Sequence, residues 1–239
     1  LLLIIIPFML IHFSFPILLP TVFLRHRRAH THPTMYMTPI SSPLILLSFP
    51  AVNFSGEWSV GQVHTNTTYK AFSPLRINAN VGLQIGLRGI NITLTGTPVR
   101  QLNETIDYNE QFRWHFGQNY AEEYTEALEK GVPDPVLYLA EKFTPNNPCD
   151  LYRQYRLAGH YASAMLWVAF LCWLLSNVLL SMPALVYGGH MLLATGAFLI
   201  FSLLFFSAAT TLTPLCPLRL GSASLHIQRG PAFWITLAT

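Results

Sequence analysis

The run LAGHYASAMLWVAFLCWLLSNVLLSM, residues 157–182, decides the class of this protein. It contains no Asp, Glu, Lys or Arg, and about 20 apolar residues are enough to cross the hydrocarbon core of a bilayer. Pro183 follows it, and a second uncharged apolar run occupies residues 184–210. Because only a few residues separate the two runs, the sequence predicts an antiparallel pair of membrane helices.

A polar segment, Ala51–Arg156, precedes these runs and holds all 11 acidic residues of the chain. Only 10% of all residues are charged and 51% are hydrophobic, whereas the charged share of a soluble domain approaches a quarter. The net charge of +3 is small, and its basic residues do not form the dense patch that nucleic acid requires. The composition predicts an α-helical multi-pass membrane protein with one folded polar segment, and no nucleic-acid partner.

Two apolar stretches lie before the polar segment. Residues 1–24 are long enough for a first membrane span, and residues 35–52 form a shorter second span, although prolines interrupt both. The basic loop 25–34 between them is assigned to the cytosol by the positive-inside rule. A signal peptide is the alternative for residues 1–24, but a basic n-region and a small-residue cleavage site are missing.

The carboxyl-terminal part predicts a second exposed loop at residues 211–230 and the start of another membrane span at residues 231–239. The chain opens with Leu1 rather than Met and stops inside this last apolar run. We therefore expect a fragment that lacks at least its carboxyl end. This interpretation gives about five spans, of which the last is truncated.

Four Asn-X-Ser/Thr sequons lie in the polar segment. Glycan is added to such sites on the lumenal side of the endoplasmic reticulum, so their use would place residues 53–156 in the lumen and later outside the cell. We predict glycosylation at Asn66, Asn91 and Asn103. Asn53 lies so near the membrane end that we do not expect it to carry glycan.

The pattern within the polar segment predicts a β-then-α domain. Residues 58–69 and 75–98 alternate apolar with polar or β-branched residues and are interrupted by glycines, as strands are. From Glu104 to Lys130 the aromatic and apolar residues recur near helical spacing, which predicts a helix. The members of that apolar set are Phe112, His115, Phe116, Tyr120, Tyr124 and Leu128. A second, short helix is expected from about Asp134 through Lys142.

No enzyme signature is present in the sequence. It contains no phosphate-binding glycine motif and no His-Glu-x-x-His. His160 and His190 fall near opposite membrane faces, whereas a membrane haem would need paired histidines deep in facing helices. We interpret the four glutamates between Glu122 and Glu129 as a solvated helix face. We therefore predict no catalytic residue, no cofactor and no metal site.

The three cysteines have different expected environments. Cys172 lies in the middle of a predicted span, where a thiol behaves as a small apolar residue. Cys149 and Cys216 both fall on the predicted lumenal side, an oxidising compartment in which disulfides persist. The residues alone leave two pairings open: a bond between these two cysteines, which they favour, or a bond from each to a partner protein.

Several runs of the chain resemble the dual oxidase maturation factor family. They are AVNFSGEWSVGQV at 51–63, NITLTGTPV at 91–99, NYAEEY at 119–124, PDPVLYLAEKFTP at 133–145 and LYRQYRLAGH at 151–160. The resemblance extends from about Ala51 to Thr239, and residues 1 to about 48 do not resemble the family's amino-terminal portion.

The resemblance implies a five-span protein with an outside amino terminus, a claudin-like extracellular β-subdomain and a cytosolic tail. Family members escort a hydrogen-peroxide-producing dual oxidase out of the endoplasmic reticulum and stay bound to it at the cell surface. The implied locations are therefore the membrane of the endoplasmic reticulum and the plasma membrane. The implied partner is a dual oxidase, in a heterodimer or higher assembly surrounded by lipid. The oxidase itself supplies the haem, flavin and NADPH sites.

The resemblance also bears on single residues. In the family, the cysteines matching Cys149 and Cys216 are linked to disulfides with the oxidase, which reverses the preference stated above. The sequons matching Asn66, Asn91 and Asn103 carry glycan in the family. The alternative function is a claudin-like or tetraspan adhesion protein, although the paired loop cysteines of claudins are absent here. A membrane oxidoreductase is the third hypothesis.

Overall fold

The computed structural model describes residues 43–70, 73–114, 119–145, 150–180, 185–212, 218–221 and 223–239. The predicted span 1–24, the loop 25–34 and the beginning of the span 35–52 lie outside these residues. In chain order the elements are α1 (Pro43–Phe54), β1 (Ser59–Thr68), β2 (Arg76–Ile85), β3 (Gly89–Gln101), β4 (Glu104–Arg113), α2 (Tyr120–Glu129), α3 (Asp134–Lys142), α4 (Leu151–Leu180), α5 (Leu185–Leu212), β5 (Leu218–Leu220), β6 (Ala223–Leu225), β7 (Ile227–Arg229) and α6 (Pro231–Ala238).

The polar segment folds around a five-stranded sheet with the order β4-β3-β2-β1-β7. Strands β1 to β4 form an antiparallel meander, and the segments 58–69 and 75–98 with the predicted strand pattern contain β1, β2 and most of β3. The fifth strand comes from the second predicted loop: β7 pairs antiparallel with β1, from Ser59↔Arg229 to Gly61↔Ile227. Residues 227–229 are thus part of the sheet domain rather than of an exposed loop.

The predicted helix from Glu104 to Lys130 is wrong in its first part. Residues Glu104–Arg113 form β4, which pairs with β3 from Gly89↔Arg113 to Thr95↔Asp107. Ile106 and Phe112 are buried, whereas residues 107, 109, 111 and 113 are exposed. This segment therefore has the two-residue period of a strand.

Helix α2 begins at Tyr120, where Asn119 caps it: the Asn119 side chain accepts a hydrogen bond from the Ala121 N–H. His115 and Phe116, which we had included in the helix, lie outside the described residues. Leu128, predicted on the apolar side, is exposed. The short helix through Lys142 is confirmed as α3.

The core runs without interruption from the sheet into the helix pair. The inner face of the sheet is fully buried at Val81, Leu83 and Ile92 and packs against α2 and α3. Trp58 lies at the base of β1 with 0% exposure, and its ring centroid is 4.9 Å from that of Phe206 in α5. The sheet domain and the helices consequently share one core.

Helices α4 and α5 form the predicted antiparallel pair. The Ser176 hydroxyl donates to the Gly188 carbonyl at 2.9 Å, and the Ser202 hydroxyl donates to the Ala162 carbonyl at 3.0 Å. Such hydrogen bonds hold helices together where water is absent. By length and composition, Leu151–Leu180 and Val186–Ala208 are able to cross a membrane.

Candidate interaction surfaces

Two of the predicted glycosylation sites lie on the outer face of the sheet. Asn66 in β1 is exposed and donates from Nδ2 to Asn78 Oδ1 at 2.6 Å. Asn91 in β3 is half-buried and donates to Gln84 Oε1 at 3.0 Å. Residues paired across neighbouring strands point to the same side, and the pairs Asn66↔Asn78 and Gln84↔Asn91 show that all four amides lie on this face.

Asn103 lies at the tip of the β3–β4 hairpin and is exposed. It and Leu102 have φ values of 63° and 53°, the left-handed conformation that a two-residue hairpin loop requires. Asn adopts this conformation more readily than most residues. The third predicted glycosylation site therefore projects from the end of the sheet.

Asn53 has a different environment from the other three sequons. Its side chain is only 2% exposed, and its Nδ2 donates to Ser163 Oγ in α4 at 3.1 Å. Its Oδ1 accepts a hydrogen bond from Arg88 Nη2 in the β2–β3 turn at 3.2 Å. Asn53 thus joins α1, α4 and the sheet, a role that sequence reasoning missed because its partners are distant in the chain.

Cys149 and Cys216 lie outside the described residues. Their described neighbours are Asp150, which immediately precedes α4, and Leu218, which begins β5. Cys172 lies within α4 as a partly exposed free thiol.

Glycine allows the sheet domain to rest directly on α4. A Cβ atom on Gly159 would collide with the backbone carbonyl of Leu87 in the β2–β3 turn. The same carbonyl accepts a hydrogen bond from Trp114 Nε1 at 3.1 Å. Gly230, before α6, makes an equally close approach to the carbonyl of Glu57. These backbone contacts fix how the domain sits on the helices.

An aromatic cluster joins α2 and α3 to the beginning of α4. The Trp114 ring packs 6.3 Å from Tyr152 and 6.4 Å from Phe143, and Tyr120 lies 5.4 Å from Tyr152. The Tyr120 hydroxyl donates to the Ala140 carbonyl at 2.8 Å. Burial raises the pKa of Tyr120 well above its ordinary value, because the phenolate is disfavoured away from water.

A second tyrosine cluster lies at the far edge of the sheet domain. The Tyr69 hydroxyl donates to Glu104 Oε2 at 2.9 Å and lies 2.9 Å from the Tyr108 hydroxyl. Desolvation, followed by these hydrogen bonds, raises the pKa of Tyr69. Lys70 forms an exposed ion pair with Glu104 at 3.7 Å. The cluster holds the β1–β2 connection against β4 and contains no activated nucleophile.

The described residues were compared with the requirements of a metal site and of the predicted solvated helix face. Among them, no group of three His, Cys, Asp or Glu residues converges on a point that a metal ion would occupy. Glu122, Glu126 and Glu129 are exposed, as a solvated helix face requires. Open cavities of about 780, 450 and 870 Å³ lie among the described residues, and the one of 870 Å³ lies along α4 beneath the sheet domain.

A sheet domain fixed by its backbone to two apolar helices of membrane-spanning length indicates a membrane protein, and comparison with known proteins gives its family. The family model described as "Dual oxidase maturation factor" matches residues 1–239, so the chain belongs to the dual oxidase maturation factor family. The match includes residues 1–48, which we had not found to resemble the family; that part of the expectation is corrected.

Individual relatives agree with this assignment. Human dual oxidase maturation factor 1 is 66% identical over 226 residues, which are 95% of this chain and 64% of that protein. Human dual oxidase maturation factor 2 is 60% identical over 239 residues, covering 100% of this chain and 73% of that protein. Dual oxidase maturation factor 1 of Caenorhabditis elegans is 34% identical over 182 residues, 72% of this chain and 44% of that protein. The chain spans slightly less than two thirds of the length of the human and mouse factor 1 proteins.

Proposed function

We propose that this chain is the membrane and extracellular part of a non-catalytic maturation factor. It escorts a hydrogen-peroxide-producing dual oxidase from the endoplasmic reticulum to the plasma membrane and remains bound to it there. The observation that carries this proposal is the family match over the whole chain. The alternative of a claudin-like or tetraspan adhesion protein is not favoured by the comparisons.

The proposed topology has about five spans and a claudin-like extracellular β-subdomain. Two helices of membrane-spanning length support it, as does an antiparallel sheet carried on one end of them. Helices α1 and α6 pack against each other, with α1 also against α4 and α6 also against α5. We assign α1 to the end of the span 35–52 and α6 to the start of the last span.

We assign glycan to Asn66, Asn91 and Asn103 and none to Asn53. Asn103 at the hairpin tip and Asn66 on the outer sheet face are exposed, and Asn91 on the same face is half-buried. The Asn53 side chain, at 2% exposure, has no room for a sugar. Glycans at Asn66 and Asn91 would cover the outer face of the sheet, so the oxidase contacts other sides of the domain.

We assign Cys149 and Cys216 to disulfides with the oxidase, as the family resemblance implies. A covalent bond to the partner would hold a complex together after it leaves the endoplasmic reticulum. The assignment requires that both positions lie on the lumenal side, where the neighbouring sheet domain is placed by the proposed topology.

Co-purification with a dual oxidase on non-reducing gels tests the proposal. The chain, as printed and also extended with the carboxyl-terminal part of human factor 1, is co-expressed with a tagged oxidase. We expect both chains in one high-molecular-weight band that the Cys149→Ser/Cys216→Ser variant removes and that Cys172→Ser preserves. A band that persists in the Cys149→Ser/Cys216→Ser variant refutes the disulfide assignment. Absence of co-purification, with the chain glycosylated and self-associated at cell contacts, favours the adhesion function.

A further inference from the structure

One open cavity lies where the sheet domain meets α4. It has a volume of about 870 Å³, within the range of sites that hold small organic ligands. We call it the junction cavity. Its lining includes Arg88, Asp150, Arg153, Arg156, Ala164 and Trp167. None of these side chains belongs to the proposed disulfides or glycosylation sites.

The lining contributed by the first turns of α4 and by the β2–β3 turn is cationic. In the part of the chain that the structure describes, Arg88, Arg153 and Arg156 form no ion pair. Arg156 donates to the Tyr152 hydroxyl at 3.0 Å, and Arg88 lies over the Phe54 ring at 4.2 Å. These contacts hold the guanidinium groups of Arg156 and Arg88 in place, and each guanidinium has five N–H donors, so donors remain for an anion.

Farther along α4, past His160 and Ser163, the wall of the cavity is apolar and continuous with the exposed surface of the helix. Ala164 is exposed, Trp167 is 40% exposed, and Leu171 farther along the helix is 61% exposed. In the proposed topology this surface faces hydrocarbon. A ligand that fills the cavity is therefore charged at one end and apolar at the other.

The cavity also lies at the expected depth. Asn53 immediately follows the predicted span 35–52 and is bonded to Ser163, and Arg156 immediately precedes the predicted span 157–182, so the membrane boundary lies between Arg156 and Ser163. Arg156 is seven residues before Ser163 and so about 10 Å above it along the helix axis. Trp167 lies about one turn below, where tryptophan is favoured at a membrane interface.

We propose that the junction cavity binds one zwitterionic phospholipid of the outer leaflet. Arg153 and Arg156 hold its phosphate diester by charge-assisted hydrogen bonds, and Asp150 receives its headgroup ammonium. Its acyl chains follow the apolar side of α4 past Ala164. The proposal rests on the membrane placement given above but not on the dual oxidase as partner. The bound lipid would fill the space between the sheet domain and α4 at the membrane surface.

Native mass spectrometry of the purified chain in detergent tests this site, with palmitoyl-oleoyl-phosphatidylethanolamine as the probe. We expect one retained lipid per chain. Arg153→Ala/Arg156→Ala should lower the retained fraction at least about tenfold, because two charged hydrogen-bond donors are lost. The control Arg76→Ala/Arg219→Ala removes the same charge from exposed positions outside the junction cavity and should retain the lipid.

A second variant separates lipid loss from misfolding. Ala164→Trp keeps every charge, lies on an exposed helix face and fills the apolar wall, so it too should lose the lipid while keeping its glycosylation. Equal retention of palmitoyl-oleoyl-glycerol, which has no phosphate, would overturn the proposal, as would equal lipid loss in the control. Displacement of the lipid by millimolar inorganic phosphate would identify a soluble-anion site instead and would also overturn it. Escort of the oxidase is measured separately. The phospholipid site can therefore be refuted while the proposed escort function stands, and the escort function can be refuted while the phospholipid site stands.

Discussion

The sheet domain buries the apolar residues of its inner face, whereas the helix pair exposes many of its apolar residues. In the sheet, Val81, Leu83 and Ile92 are 0% exposed, and the outer face carries amides such as Asn66 and Asn78. In the helix pair, exposure is 61% at Leu171, 71% at Leu193 and 57% at Leu204. The sheet domain meets its need for burial within the chain. The helix pair does not, and its outer surface requires lipid or another helix.

The largest expected effect is a loss of stability on disrupting the core that the two regions share. Trp58→Ala should lower the free energy of unfolding by about 3–5 kcal/mol, as other buried aromatic truncations do. It removes the packing on Phe206 and the hydrogen bond from Trp58 Nε1 to the Val52 carbonyl at 2.9 Å. Thermal unfolding in detergent measures the change. The control Trp234→Ala truncates a tryptophan that is 55% exposed, and an equal loss there would contradict a shared core.

A lysine scan at exposed leucines separates the two regions next. Leu193→Lys on α5 should disfavour membrane insertion by about 2.5–3.5 kcal/mol, the cost of a lysine in the middle of a span. Leu75→Lys, at a position that is 50% exposed beside β2, should have no effect because it faces water. Glycosylation-mapped insertion in microsomes reports both. Efficient insertion of the Leu193→Lys variant would show that this surface of α5 does not face hydrocarbon.

The two kinds of sequon sharpen the comparison further. Asn53→Ala should lower stability by about 1–3 kcal/mol, because Ser163 and Arg88 lose a buried partner. It should leave the glycan number unchanged. Asn103→Gln should have the reverse outcome. It should carry one glycan fewer, as judged from gel mobility before and after glycosidase treatment, and its thermal stability should not change. Loss of a glycan from the Asn53→Ala variant would contradict the burial of that side chain.

The smallest effect is a pH dependence of the sheet domain. Burial raises the pKa of Tyr120 in the folded state above its unfolded value of about 10. The folded chain then binds more protons than the unfolded chain at alkaline pH, so stability is fully present below about pH 10 and falls as the pH rises beyond it. Thermal melts from pH 8 to pH 11 measure this slope. Tyr120→Phe should reduce the slope, and an unchanged slope would assign it to Tyr69 or other groups.

Two kinds of pattern made elements predictable from the sequence. Strands β1 to β3 alternate apolar and polar residues, and helices α4 and α5 are uncharged apolar runs long enough to cross a membrane. Strand β4 was mistaken for a helix because Phe112, Tyr120 and Tyr124 keep helical spacing across an element boundary. Strand β7 has only three residues, too few for a recognisable pattern. It forms because it pairs with the edge of β1.

The functional surfaces depended more on contacts between distant residues. The sequons are local patterns, so the sequence alone predicts glycosylation at Asn66 and Asn103, and both residues are exposed. The link from Asn53 to Ser163 spans 110 positions, and the contact of Gly159 with Leu87 is equally invisible in a local window. The junction cavity arises from such contacts, since α4 and the β2–β3 turn meet only in the folded chain.

Delivery of active oxidase to the cell surface tests the central claim most directly. Cells that express a dual oxidase without a maturation factor receive this chain, extended with the carboxyl-terminal part of human factor 1. We expect increased surface biotinylation of the oxidase and increased hydrogen peroxide release, and Trp58→Ala should abolish both. A glycosylated chain that reaches the surface while the oxidase stays in the endoplasmic reticulum and peroxide release does not change would contradict the account.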